Sequence, residues 1–247
     1  MTEKAHGMEL TRELARLKAE YARRSREIAP DTYSPGRPAN LFIHQQLVRC
    51  CISLLTRHSG FPLNLKRIAD IGCGGGTWLL EFAKWGASPC DLSGIDLDEE
   101  KILRAASRMP GADLRAGNAS ELPWGNESFH LVSQFTLFSS ILSTPVRHEA
   151  AAEMLRVLKP GGLILWYDLR VNNPQNPAVR GIHADEIRIL FPSCAVSLSS
   201  ATLAPPLARR IVPLSWVLGI LLEAIPFLRT HYVAVIQKPM NVDSRTT

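Results

Sequence analysis

The sequence has few of the patterns that mark metal-binding, disulfide-bonded or exported proteins. Its five cysteines are an odd number, and none stands in a C-x-x-C or Cys/His ligand spacing. This pattern predicts reduced thiols and argues against structural zinc, so we expect no metal. The N-terminal residues lack a charged segment followed by an apolar core. We therefore expect no signal peptide and a cytoplasmic location.

The sequence also lacks an uninterrupted apolar run of the length that a membrane span needs, about 20 residues. Its most apolar stretch is 211–228, which Pro213, Gly219, Glu223 and Pro226 interrupt. We predict no transmembrane span here and expect an apolar cap helix. What this helix covers stays open, because a hydrophobic acceptor, a membrane surface and a second copy in a homodimer all suit an apolar surface.

Acidic residues are fewer than basic ones, 23 against 28, which gives a net charge of +5. A basic balance of this kind can indicate a nucleic-acid partner. The basic residues are nevertheless spread along the chain, and the densest set, at 12–26, is interleaved with acids at helical spacing, such as Glu20 before Arg24. This pattern favours a solvated helix face, and we expect no nucleic-acid partner.

Apolar strands and amphipathic helices alternate through the centre of the chain, which predicts a parallel sheet with helices on both faces. The predicted strands lie near 67–71, 91–96, 113–117, 129–134 and 163–168, and the predicted helices near 77–85, 98–109 and 146–158. We divide the chain into an N-terminal helical cover or substrate lid at 1–66, a ligand-binding core at 67–170 and a C-terminal part at 171–247. This last part is expected to complete the sheet and to carry the apolar cap helix.

The strongest chemical signal is a glycine-rich turn after the first core strand. Residues 68–76 read Ile-Ala-Asp-Ile-Gly-Cys-Gly-Gly-Gly, and the next strand ends at Asp96. Glycines let the backbone approach a nucleotide, and the later carboxylate is placed for ribose hydroxyls. A dinucleotide fingerprint would have its third glycine at the position of Thr77. The acid beside the turn, Asp70, suits a cationic ligand better than a pyrophosphate.

The pattern Asp70-x-Gly72-x-Gly74-x-Gly76 resembles motif I of the class I S-adenosylmethionine (SAM)-dependent methyltransferases. Residues 93–97, 117–119 and 153–162 are similar to later motifs of the small-molecule, type 11-like branch of this family. The resemblance implies an α/β, Rossmann-like fold with a seven-stranded, mostly parallel sheet, an N-terminal helical cover and a C-terminal apolar insertion. It also implies SAM as the cofactor, bound by Asp70, Gly72, Gly74, Gly76, Asp96, Leu97, Asn118, Ala119 and Gln134. Asn118 replaces the usual Asp of the family, and its carbonyl can still accept a hydrogen bond from adenine.

The resemblance further implies methyl transfer to a small acceptor, partly hydrophobic or linked to a lipid or sugar, in secondary metabolism or glycoconjugate modification. The Asn/Asp-Pro-Pro-aromatic motif of enzymes that methylate nucleic-acid or glutamine amino groups is absent after the fourth strand. The candidates for proton removal are His44, Asp168 and His183. We favour His44, because imidazole titrates near neutral pH and the second helix can carry it over the methyl group. The acceptor is expected to contact Tyr33, Thr136, Phe138, Asn172 and Trp216.

Two other functions stay open. A NAD(P)-dependent oxidoreductase is opposed by the glycine spacing and by the lack of a Tyr-x-x-x-Lys pair. A SAM-binding regulatory or scaffold protein without turnover is compatible with the same motifs, and only turnover with an acceptor separates it from an enzyme.

Overall fold

The computed structural model describes residues 3–29 and 31–240. Its α-helices are α1 (Glu3–Glu27), α2 (Pro38–Arg57), α3 (Thr77–Lys84), α4 (Glu99–Arg108), α5 (Thr144–Val157), α6 (Ala184–Leu190), α7 (Pro205–Ile211) and α8 (Trp216–Glu223). Its strands are β1 (Ile68–Ile71), β2 (Leu92–Asp96), β3 (Asp113–Ala116), β4 (Phe129–Phe135), β5 (Leu158–Leu169), β6 (Ala195–Leu203) and β7 (Arg229–Gln237).

The seven strands form one sheet in the order β3-β2-β1-β4-β5-β7-β6. The first five pair in parallel, and β7 runs antiparallel to both β5 and β6. Since β6 is therefore parallel to β5, the segment after β6 leaves the sheet at the edge where β1, β4 and β5 end. The predicted seven-stranded, mostly parallel Rossmann-like fold is confirmed.

Helices cover both faces of the sheet because its central strands are apolar on both sides. All four residues of β1 and all five of β2 are buried, as expected for strands inside a parallel sheet. On one face, Leu17 of α1, Met154 of α5 and Ile187 of α6 belong to one apolar cluster. On the other face, Leu47 of α2, Phe82 of α3 and Ile102 of α4 belong to a second cluster.

Two segments differ from the sequence prediction. The fifth strand, predicted near 163–168, begins five residues earlier, at Leu158, with an irregular register opposite the start of β4. The apolar stretch, predicted to form a cap helix, divides into the end of α7, the 8-residue α8 and a 3₁₀ turn at Pro226–Leu228. Among the described residues, no helix combines the length and apolarity that crossing a membrane requires.

Candidate active site

The glycine turn that joins β1 to α3 depends on residues without a side chain. Gly72, Gly74 and Gly76 have φ angles of +76°, +52° and +77°, a region that other residues rarely adopt. The backbone N–H groups of Gly72 and Cys73 donate to the Ile95 carbonyl oxygen at 2.8 and 3.0 Å, which fixes the turn against β2. A Cβ atom on Gly72 would lie 3.1 Å from the Leu137 side chain. The turn therefore keeps open a space that a side chain would fill.

Asp96, the last residue of β2, connects this turn to the start of α4. Its Oδ2 accepts a hydrogen bond from Gly74 N at 2.8 Å, and its Oδ1 accepts one from Asp98 N at 3.0 Å. Asp98 in turn caps α4 by accepting from Lys101 N. Each oxygen of Asp96 keeps a further lone pair, so the carboxylate can still accept hydrogen bonds from a ligand.

A narrow cavity with an empty volume of about 420 Å³ lies beside Asp96 and Gly72. Its walls come from the glycine turn, the ends of β2 and β3, the start of α5 and, on the outer side, α1. They comprise Leu14, Leu17, Tyr21, Gly72, Ile95, Asp96, Leu97, Gly117, Asn118, Ala119, Leu137, Ile141 and Val146. Five of the nine predicted cofactor residues are thus brought together: Gly72, Asp96, Leu97, Asn118 and Ala119.

The other predicted cofactor residues lie around or beneath the turn. Gly74 donates to Asp96, and Gly76 precedes the first residue of α3. Asp70 is buried below the turn, where it accepts a hydrogen bond from Ser133 Oγ at 2.7 Å. Burial, opposed by that hydrogen bond and assisted by Asp96, raises the pKa of Asp70 to about 7. Asp70 therefore supports the turn from inside the core and does not line the cavity.

Gln134 is fully buried as well. Its amide nitrogen donates to the Tyr167 carbonyl oxygen at 3.3 Å, and its amide oxygen accepts from Leu137 N at 3.0 Å. These bonds hold the chain segment after β4 in place. The sequence predicted a direct contact between Gln134 and the cofactor. In the structure Gln134 instead holds Leu137, and Leu137 lines the cavity. Asn118 lines the cavity, and its amide oxygen already accepts from Ser120 N at 3.0 Å.

Helix α1 is fixed over the cavity by polar contacts to the loop before α5. Glu13 is 6% exposed and accepts hydrogen bonds from Leu142 N at 2.6 Å and Ser143 N at 3.4 Å. Arg16 donates both to Glu13 and to the Ser140 carbonyl oxygen. Burial opposes ionisation of Glu13, but the hydrogen bonds from Arg16 and from the loop outweigh it and lower the pKa of this carboxyl. Glu13 therefore holds α1 in place as a charged group.

Tyr21 completes the outer wall of the cavity from the last turns of α1. The ammonium nitrogen of Lys101 lies 4.4 Å from the centre of its ring, a cation–π contact that ties α1 to α4. Burial raises the pKa of the Tyr21 hydroxyl to about 12. The side chain is therefore neutral at physiological pH, and its ring presents an apolar surface toward the cavity.

A row of aromatic rings crosses the carboxyl ends of β4 and β5. Trp78, in the first turn of α3, stacks on Phe135 with 3.8 Å between ring centres and 4° between planes. Phe135 lies 6.2 Å from Tyr167, and Tyr167 stacks on His231 at 4.7 Å. His44 approaches the other end of the row, 5.6 Å from Trp78. The row thus places partly buried aromatic rings at this edge of the sheet, with Trp78 and Phe135 stacked in parallel.

The three candidates for proton removal occupy different surroundings. His44 is partly buried, and its Nε2 lies 3.2 Å from Glu81 Oε1. Asp168 is fully buried and accepts from Ser139 N at 3.1 Å and from Leu169 N at 2.8 Å, and burial raises its pKa to about 6. His183 is exposed and directly precedes α6. Only His44 combines partial exposure with a carboxylate that orients the ring. In the described part of the chain, no group of three or more His, Cys, Asp or Glu side chains is arranged to hold a metal ion.

The predicted acceptor residues do not form one surface. Thr136 is exposed at the end of β4 with a φ of +61°, and Tyr33 is 59% exposed in the loop before α2. Asn172 is exposed and accepts from Gly181 N at 2.9 Å. Phe138, by contrast, is fully buried at 4.4 Å from the Trp166 ring, so it has no surface to offer an acceptor. Trp216 packs edge-to-face on Phe42 of α2 at 5.2 Å.

Sequence reasoning missed the residues that reach the site from distant parts of the chain. The apolar stripe of α1 at Leu10, Leu14, Leu17 and Tyr21 is visible in the sequence, but its partner is not. Trp78 lies two residues after the last glycine of the turn, so its position at the head of α3 was a usable signal. The stacking of its ring on Phe135 depends on the pairing of β1 with β4, which one-dimensional spacing does not reveal.

The sequence and the structure are each similar to known methyltransferases. A sequence profile described as "Methyltransferase domain" matches residues 68–162. Demethylmenaquinone methyltransferase of Staphylococcus aureus is 30% identical over 126 residues, which cover 50% of this chain and 50% of that protein. Phthiotriol/phenolphthiotriol dimycocerosates methyltransferase of Mycobacterium tuberculosis is 32% identical over 110 residues, which cover 44% of this chain and 39% of that protein.

The crystal structure of a SAM-dependent methyltransferase from Methanosarcina mazei superposes with a TM-score of 0.56 at 20% identity, covering 75% of this chain and 98% of that one. This likeness shows the shared fold. The aligned segments span about half, or less, of the length of the two curated relatives. Together the matches confirm the resemblance to class I SAM-dependent methyltransferases, a family whose cofactor is SAM.

Proposed function

We propose that this chain, whose residues 68–162 form a methyltransferase domain of the class I SAM-dependent family, transfers the methyl group of SAM to a small acceptor. We propose further that the acceptor is partly hydrophobic or linked to a lipid or sugar. One observation carries the proposal: a cavity in which the glycine turn and the carboxylate of Asp96 face the apolar inner side of α1.

The cavity fits the parts of SAM. A carboxylate with free lone pairs suits the two ribose hydroxyls, and the apolar walls from Leu97, Ile141 and Tyr21 suit the adenine ring. Gly117 lines the cavity, and a Cβ there would lie 2.9 Å from the Ile95 side chain, so this wall too is built from backbone. When bound, SAM supplies a methyl group on a positively charged sulfur, which is already a good electrophile.

The protein residues then have three tasks: to bind, to orient and to exclude water. Asp96 and the Asn118 amide bind the nucleoside part, and the turn at Gly72 and Gly74 leaves room for the rest. Holding the acceptor in line with the methyl group supplies most of the rate, because the two reactants are then near the geometry of reaction. The docked α1 keeps water out of the cavity. During the transfer, the acceptor atom forms a bond to the methyl carbon while the bond from this carbon to sulfur breaks, and S-adenosylhomocysteine is released.

A hydroxyl acceptor must also lose its proton, and His44 is the side chain that we assign to this task. If its Nε2–H donates to Glu81, the ring nitrogen Nδ1 carries no proton and can accept one. Glu81 is mostly buried and also accepts from Lys84 Nζ at 2.8 Å, which holds its side chain in place beside His44. Asp168 and His183 remain weaker candidates, because one is enclosed in backbone contacts and the other lies at the surface.

The apolar character of the acceptor rests on the aromatic row and on the names of the relatives. Trp78 and Phe135 are partly exposed and stack on each other at the edge where the strands end. The two curated relatives are named for demethylmenaquinone and for phthiotriol/phenolphthiotriol dimycocerosates. We place the chain in the cytoplasm and expect neither a nucleic-acid partner nor a metal.

Two measurements test the proposal. Titration calorimetry should detect binding of SAM and S-adenosylhomocysteine and no binding of NAD. Incubation with SAM that carries a radioactive methyl group, together with a total lipid extract or a glycolipid fraction, should transfer label to the acceptor fraction, and Asp96→Ala should lower this transfer when SAM is limiting. Binding of SAM without label transfer to any fraction would favour a regulatory protein. Failure to bind SAM would refute the proposal as a whole.

A further inference from the structure

The segment between β6 and β7 presents an apolar surface at the edge of the sheet where the candidate active site lies. Leu214, Val217, Leu221 and Phe227 are 84%, 66%, 60% and 78% exposed. Trp216 and Gly219 instead face inward and pack on Phe42 of α2. The surface is therefore the outer side of a well-anchored helix and turn. Its position follows from the sheet order, since β6 runs parallel to β5 and ends at the same edge.

A basic groove adjoins this apolar surface. Two neighbouring cavities, each with an empty volume of about 570 Å³, share Arg49 and Cys50 of α2. Ile220 of α8 and Ala224, the residue after this helix, line the first cavity together with Arg49, and Arg57 lines the second. The apolar surface of α8 and the charged groove are therefore continuous. Arg209 and Arg210 add two exposed positive charges at the end of α7.

Negative charge is almost absent from this region. Glu223 is the sole acidic residue between β6 and β7; it is 9% exposed and lines the first cavity beside Arg49 and Arg229. Burial, opposed by the nearby Arg49 and Arg229, raises the pKa of its carboxyl. The guanidinium of Arg229 donates to the carbonyl oxygens of Glu223 and Ser200, so it stays beside the groove. The surface thus combines exposed apolar side chains with an excess of positive charge.

The groove also contains a buried polar atom that lacks a partner. Gln46 is 5% exposed and lines the first cavity, and its amide oxygen makes no hydrogen bond within the described part of the chain. An unpaired buried acceptor is costly, and a ligand hydroxyl that enters the groove would satisfy it. The groove therefore suits a ligand with a negative charge for Arg49 and a hydroxyl for Gln46.

We infer that α8 and the adjoining groove bind the surface of a membrane that contains anionic glycerophospholipid. The apolar side chains enter the boundary between headgroups and acyl chains, Arg49 and Arg57 face lipid phosphates, and Gln46 accepts from a headgroup hydroxyl. A second copy of the chain fits this surface less well. In a twofold contact the same patch occurs on both sides, so the arginines of one copy would meet those of the other. The inference does not depend on methyl transfer, although the surface would place a lipid acceptor beside the site.

Vesicle co-sedimentation tests the inference on the full chain, with vesicles of phosphatidylcholine alone and of phosphatidylcholine mixed with phosphatidylglycerol. We expect binding to the anionic vesicles that weakens with salt. Leu221→Glu should lower the partition coefficient by at least about tenfold, and Arg49→Gln should lower it by about fivefold. The matched controls are Leu103→Glu and Arg104→Gln, at exposed positions of α4 beyond the opposite edge of the sheet, and these should bind as the wild type does.

Three results would overturn the inference. The first is equal binding to neutral and anionic vesicles, and the second is an equal loss in the control variants, which would reveal attraction by net charge alone. The third is dimerisation in analytical ultracentrifugation that Leu221→Glu abolishes, without vesicle binding, because the patch would then be a subunit contact. SAM binding, measured on every variant, should stay unchanged. A failure of membrane docking is thereby separated from a failure of the proposed function.

Discussion

Replacement of Asp96 by alanine is the most direct test of the cofactor site. The carboxylate makes two hydrogen bonds to the backbone, at 2.8 and 3.0 Å, and has lone pairs left for two ribose hydroxyls. A hydrogen bond to a charged group contributes about 1.5–3 kcal/mol. Asp96→Ala should therefore weaken SAM binding by about 2 kcal/mol or more, which is roughly 30-fold in Kd. Titration calorimetry measures this directly.

Asp98→Ala is the matched control, because it removes the same charge two residues away. Asp98 caps α4 and pairs with Lys101, and it does not line the cavity. This variant should lose about 1 kcal/mol of stability with the cap and should bind SAM within about threefold of the wild-type Kd. If Asp96→Ala bound SAM as tightly as the wild type, or if both variants lost affinity equally, the assignment of the ribose site to Asp96 would be wrong.

Three further predictions follow from the same geometry. Glu13→Ala should weaken α1 docking by about 2 kcal/mol and raise the SAM dissociation rate measured by stopped-flow fluorescence. The control Glu20→Ala loses its pairing with Arg23 on the same helix and should leave the dissociation rate unchanged. Asp70→Asn should stabilise the protein relative to the wild type increasingly as the pH rises from about 4 to 7. Over this range the Asp70 carboxyl ionises in the unfolded chain, whereas burial keeps it protonated in the folded wild type, so the wild type loses stability and the Asp70→Asn variant does not. Urea unfolding measures the difference in stability, and a difference that does not vary with pH would contradict the burial argument. His44→Gln should reduce the single-turnover rate of methyl transfer by at least about tenfold and alter the pH profile of this rate. The exposed control His148→Gln should leave the rate and its pH profile unchanged. An unaltered pH profile in His44→Gln would leave positioning of the acceptor as the main source of rate.

The order of elements could be predicted from the sequence because local patterns determine it. β1 and β2 are short apolar runs that end at a glycine turn and at an acid, and amphipathic stretches between strands predicted α3 and α4 correctly. The exceptions arise where tertiary pairing extends an element. β5 begins at Leu158 because the chain there already pairs with the first residue of β4. In the apolar segment, the flanking Pro213 and Pro226 limit α8 to Trp216–Glu223. The hydrophobicity of the whole stretch does not indicate where this helix begins and ends.

The candidate site was predictable where one motif supplies both the residue and its role. Gly72 and Asp96 line the cavity because the turn and the strand end that hold them are fixed by local sequence. Residues whose role depends on burial were harder to predict, since spacing alone does not report it. Gln134 lies one residue before the end of β4, and Phe138 follows this strand. Their positions predicted contacts with the cofactor and with the acceptor, respectively, yet both side chains are fully buried. Spacing identifies the edge of the sheet, and packing decides which side chains are exposed there.

The position of α1 connects cofactor binding to the docking of this helix. Leu14, Leu17 and Tyr21 form the outer wall of the cavity, and Glu13 fixes the helix to the loop before α5. We predict that α1 moves away from the cavity before SAM enters, because its side chains stand over the outer side of the site. Docking of α1 then slows both the entry and the release of SAM, because the helix has to open for each step. Loosening the contact at Glu13 should accordingly raise both the association and the dissociation rates of SAM, with a smaller change in Kd than in either rate. Equal association rates in Glu13→Ala and the wild type would show that SAM enters by a route that does not require α1 to move.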